Sequence, residues 1–193
     1  RYAMMSFSSH LLPAALVSNG AGFVQVDENG KYYNAAETDA FLEAMNWVMD
    51  MVSKYEMNAP EGAEWNYFES AFINGEVALQ VHEDYFAGSL ANMEDDYGFV
   101  FFPKGPRAKT YLYAPSDNIM VIPACYDADR AWKIAFAYNL FTNPTPGYTD
   151  SDDWKNGYYQ KYRDERAVDE TITMMREPEH QFVWYSDMVT GYD

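Results

Sequence analysis

Residues 68–87, FESAFINGEVALQVHEDYFA, decide how the rest of the chain is read. The apolar spacing predicts an amphipathic helix ending near Asn74 and Gly75, because glycine takes the left-handed conformation that closes a helix. Val77, Leu79 and Val81 then alternate, which predicts a buried strand over 77–81. After it the chain delivers His82, Glu83, Asp84, Tyr85 and Phe86 in a row. In open α/β sheets, ligands bind just beyond the carboxyl ends of strands. An acid–acid–aromatic cluster at that place suits a polar, ring-shaped ligand.

Upstream, residues 22–26 and 31–33 flank Asn29-Gly30, a dipeptide that predicts a tight hairpin. Residues 34–55 form the clearest helical pattern, with Phe41, Leu42, Met45, Val48, Met49 and Val52 on one stripe. Asn34 is its expected cap, Glu37 completes a capping-box pattern, and the methionines read as core filling. A shorter helix is expected around 10–17, with Pro13 limiting its length. Trp65 opens the helix of the central stretch. It reads either as a stacking platform or as a staple to the core.

Downstream, buried strands are expected at 97–102, 110–114 and 118–123, with the stiff turn Pro103-Lys-Gly-Pro106 after the first. A short helix is expected over 86–93 and another over 128–141, capped by Asp127 and stopped at Asn143-Pro144. Its apolar face would carry Ala131, Trp132, Ala135, Phe136, Tyr138 and Leu140. Residues 142–157 read as a solvated acidic loop, 167–177 as a modest helix, and 182–185 as apolar residues exposed at a cut end.

The net charge of −17, from 30 acidic and 13 basic residues, repels nucleic acid and anionic lipid, so neither is an expected partner. A single cysteine, Cys125, rules out an internal disulfide framework and reads as a buried structural thiol. No stretch reaches the roughly 18 apolar residues of a membrane span. Three scattered histidines suggest no metal cluster, and no cofactor motif occurs. The opening at Arg1 without methionine suggests a fragment of a longer protein.

Three motifs in this order carry a family resemblance: FINGEVAL (72–79), YGFVFFP (97–103) and NIMVIP (118–123), the last followed by a helix with Ala131-Trp132-Lys133. Over roughly residues 60–145 the chain resembles the extracellular solute-binding proteins of bacterial ABC importers, the carbohydrate-binding family that includes maltose-binding protein. The resemblance implies an α/β fold: a type II periplasmic-binding-protein-like lobe with a mixed sheet flanked by helices. Residues 1–193 would be one lobe of a two-lobe protein, with 115–145 crossing toward the missing lobe. The implied partners are a carbohydrate and the membrane permease, with membrane attachment only through an anchor outside this fragment. The implied location is the outer face of the bacterial membrane or the periplasm.

By the same resemblance, Tyr85 stands where the family often stacks a tryptophan on the sugar ring, and Glu83 and Asp84 stand where Gly-Pro is common. Tyr113, Ser116, Asp117 and Asn118 fall where the family lines its cleft and hinge. With Trp65 and His82 these are the candidate ligand-binding residues; no catalytic and no metal residue is expected. The physics agrees: a sugar's C–H face meets the π-cloud of Tyr85 or Trp65, and carboxylates accept from its hydroxyls. Two other functions compete, a glycan-acting enzyme using Glu83 and Asp84 and a surface adhesion module. Adjacent carboxylates point in different directions and cannot both flank one bond without a bend. With half a cleft, the fragment alone is expected to bind ligand weakly or not at all.

Overall fold

Why the chain begins with a strand is plain once its partner is seen. In this computed structural model, β1 (Tyr2–Met4) pairs in parallel with β4 (Val77–Leu79), with Tyr2 opposite Val77 and Met4 opposite Leu79. The structure describes residues 2–6, 8–91, 93–115, 120–148 and 150–186. The connection between the paired strands holds α1 (Ser8–Ser18), the hairpin β2 (Val24–Val26) and β3 (Tyr32–Asn34), α2 (Asp39–Tyr55) and α3 (Tyr67–Ile73). A 3₁₀ run, Asp84–Leu90, follows β4. Later come α4 (Ala128–Thr142), α5 (Lys155–Tyr159), a π-helical run Ala167–Ile172 and the short α6 (Thr173–Met175). The chain forms two compact units, Arg1–Pro115 with Tyr159–Asp193, and Ser116–Tyr158. Residues 116–145 of the implied crossing segment fall in the second unit.

The fold is mixed α/β. The hairpin forms as expected: Gly30 adopts φ +77°, and the Asp27 carboxylate accepts from the amides of Asn29 and Lys31, both at 2.9 Å. Gly75 closes α3 with φ +66°. Asp127 caps α4 by accepting from the Arg130 amide at 2.8 Å. α1 runs through Pro13, whose ring cannot donate to the carbonyl of Ser9, an exposed residue that water can serve.

Other expectations are corrected. α2 begins at Asp39, not at 34, because the Asn34 carboxamide oxygen turns back to the Ala36 amide at 3.0 Å while Thr38 caps the helix. Its packed face is Phe41, Ala44, Met45 and Val48, set on Ala15, Leu16 and Ala21; Leu42, Met49 and Val52 are exposed. The 77–81 strand stops at Leu79, which is 62% exposed, because β4 is paired on one side only. Residues 97–102 make no ladder. Phe99, Phe101 and Phe102 are instead held by rings, against Tyr162, Tyr111 and Trp47 respectively, at 5.4–5.7 Å between centroids. Residues 110–114 contribute a single bridge, Tyr113 to Gln181, and 120–123 run exposed, so Cys125 is exposed rather than buried. Thus the two strand pairs lie in separate sheets among the described residues, and no single mixed sheet forms.

Residues 182–185 are not left waiting for absent partners. Trp184 packs on the α1–α2 core and meets Phe23 edge-on at 6.2 Å, while Tyr185 meets Tyr32 at 5.4 Å. The PKGP turn is also anchored. The Gly105 amide donates to the Ser18 carbonyl at 2.9 Å, and a Cβ there would lie 2.7 Å from the Asn19 Cα. Only glycine allows that approach.

Candidate functional site

Two apolar clusters support the segment that follows β4. Phe68 of α3 belongs to one, with Met5, Ala71 and Val77; Phe86 belongs to the other, with Leu90 and Met93. Phe72 packs against both. His82 lies between them: its ring stacks on Phe86 at 4.2 Å with an 11° interplanar angle and sits 5.8 Å from Phe68. The His82 side chain is only 7% exposed. The Glu83 amide donates to its Nδ1 at 2.9 Å, so the ring hydrogen resides on Nε2, which points to Glu69 Oε1 at 3.4 Å. This fixes the ring in plane and rotation.

From that fixed base, aromatic faces project outward. Tyr85 meets His82 edge-on at 5.5 Å and is 64% exposed. Trp65 meets Phe68 at 6.4 Å and is 74% exposed. Trp65 is therefore not buried as a staple. Leaving a large apolar side chain in water forgoes about 1.5–3 kcal/mol of burial. The Glu83 side chain lies in solvent, and Asp84 starts the 3₁₀ run with its carbonyl accepting from the Tyr162 hydroxyl at 3.2 Å. His82, Glu83, Asp84 and Tyr85 adjoin in sequence, and Phe68 links Trp65 to His82 through its ring contacts with both.

No protein-family model and no curated protein matches the chain.

His10 is a member that the sequence did not reveal. Its ring lies 4.9 Å from His82 and 6.0 Å from Phe68, edge-on. Burial lowers its pKa, and the neighbouring His82 lowers it further, so the fold favours neutral imidazole at that place. The three histidines are therefore not scattered; two of them are neighbours. A helix position facing a strand exit carries no local signal of that pairing, whereas the contiguous 82–86 run was legible at once.

Tyr113 is used elsewhere. Its hydroxyl donates to the Met175 carbonyl at 2.6 Å, its ring meets Phe101 at 6.1 Å, and its backbone bridges residues 180–182. These bonds give it a structural role in the fold. Ser116, Asp117 and Asn118 lie outside the described residues. Among the described residues, no helix is long and apolar enough to cross a membrane.

Proposed function

We propose that the chain captures a carbohydrate by ring stacking at Trp65 and Tyr85, as a lobe of an extracellular solute-binding protein that delivers sugar to an ABC importer without catalysis. The observation that carries this reading is the exposure of two large aromatic rings on a fixed base of Phe68, His82 and Phe86. An aromatic face meeting sugar C–H groups gains dispersion and quadrupole attraction, and an anchored ring loses little rotamer freedom on binding. Glu83 supplies a solvated carboxylate that accepts from hydroxyls at the ring edge. The periplasmic-binding-protein-like fold type, the permease partner and the outer-surface location rest on the motifs 72–79, 97–103 and 118–123 and belong to the same proposal.

The test is saturation-transfer NMR of the chain against millimolar neutral mono- and oligosaccharides. Sugar C–H signals should respond, and the response should fall in Trp65→Ala and Tyr85→Ala while thermal stability stays within about 0.5 kcal/mol, as for other exposed positions. A response untouched by both substitutions would locate binding elsewhere and defeat the assignment. Turnover of the sugar, lost on Glu83→Gln, would replace capture with catalysis.

A further inference from the structure

The geometry points to a divalent transition-metal site at Glu177, Glu179 and His180, in the sequence EPEH. One ligand atom from each residue lies within 4.8 Å of the other two. His180 is the informative member. It is only 5% exposed, yet it sits between two exposed carboxylates. Its Nδ1 lies 2.8 Å from the Tyr111 carbonyl and 3.1 Å from the Thr110 hydroxyl. A carbonyl can only accept, so Nδ1 carries a hydrogen there, which leaves Nε2 as the ring nitrogen that can ligate a metal. Nε2 faces Glu177 Oε2 at 3.9 Å, beyond hydrogen-bond distance. A metal ion placed between them would take both atoms as ligands. Metal-ligating histidines commonly donate their other ring N–H to a backbone carbonyl, which fixes the tautomer and raises ligand basicity.

The backbone is held for this purpose. Pro178 restricts φ between the two glutamates. The His180 amide donates to the Glu177 carbonyl and the Gln181 amide to the Pro178 carbonyl, both at 3.1 Å. Tyr113 clamps the segment from outside, its amide donating to the His180 carbonyl at 3.0 Å and its carbonyl accepting from Phe182 at 2.8 Å. Phe101 covers one side of the imidazole, 5.6 Å between centroids. A tetrahedral zinc ion with bonds of about 2.0–2.2 Å needs ligand atoms about 3.4 Å apart, which the two exposed carboxylates reach by side-chain rotation. One imidazole and two carboxylates make a borderline donor set that favours Zn²⁺ or Co²⁺ over Ca²⁺, which takes six to eight oxygens. The fourth position is left for water. The net charge of −17 draws cations toward the surface.

The test is calorimetric titration of the chelator-treated chain with Zn²⁺ alone and with Ca²⁺ alone. One equivalent of Zn²⁺ should bind and raise the melting temperature, and Ca²⁺ should do neither at the same concentration. Glu177→Gln combined with Glu179→Gln, both surface changes, should weaken Zn²⁺ binding by about tenfold or more. His180→Gln should do the same; if that variant fails to fold, the double glutamine variant decides. Co²⁺ should give the intense visible absorption of a four-coordinate centre in the native chain and lose it in the double variant. No one-to-one Zn²⁺ binding, binding undiminished in the double variant, or equal binding of Ca²⁺ would each overturn the site.

Discussion

His10 shows how one half-buried side chain couples this fold to pH. Its pKa is lowered from 6.5 in the folded state, first by burial and then by His82. The unfolded chain therefore takes up a proton there that the folded chain resists, and stability rises with pH through that window. The stability from a neutral His10 is fully present above pH 6.5 and is lost as the pH falls toward the folded-state value. Thermal melts between about pH 5 and pH 7.5 should show this slope. In His10→Gln the slope should flatten below pH 6.5. A slope unchanged by the substitution would assign the effect to other groups. At the same scale, the contiguous cluster at 82–86 was legible because neighbours in sequence stay neighbours in space. The His10–His82 contact was not, because it depends on where α1 packs.

The elements were legible in proportion to how local their causes are. The hairpin turn, the Gly75 closure and the Asp127 cap follow from chemistry within a few residues and formed as read. The strands expected at 97–102, 110–114 and 118–123 depend on partners elsewhere; ring contacts took the place of a ladder at 97–102, a single bridge formed at 110–114, and 120–123 run exposed. Close approach is also nonlocal, and Gly105 is its clearest case. Gly105→Ala would place a Cβ 2.7 Å from the Asn19 Cα, backbone that cannot turn aside. Overpacking of this kind costs about 1–3 kcal/mol. Urea unfolding should show a loss of that size, and a neutral result would mean that the turn is not seated on α1. Helix α4 has no buried residue, whereas α1 buries Leu11, Ala15, Leu16 and Val17. Helices draw most of their stability from packing, so amide exchange should be faster in α4 than in α1. Asp127→Ala should accelerate it further, at a cost of about 0.5–2 kcal/mol to the helix.

At the scale of the whole molecule, the α/β class that the resemblance implied agrees with the mixed α/β fold. The sequence did not establish how the strands assemble, because pairing is decided by the full set of competing packings. The grouping of the candidate residues was more legible than the sheet. His82, Glu83, Asp84 and Tyr85 adjoin in sequence, and Trp65 is linked to His82 through Phe68 of the apolar base, while Tyr113 was drawn into structural bonds with residues 175–182. The central proposal is that two exposed rings on this base bind a sugar face. The most direct check is the saturation-transfer difference spectrum of a neutral oligosaccharide with the native chain and with the double variant Trp65→Ala, Tyr85→Ala. The account predicts a clear response with the native chain and its loss in a variant that melts at nearly the same temperature. A response from the double variant equal to that of the native chain would contradict it.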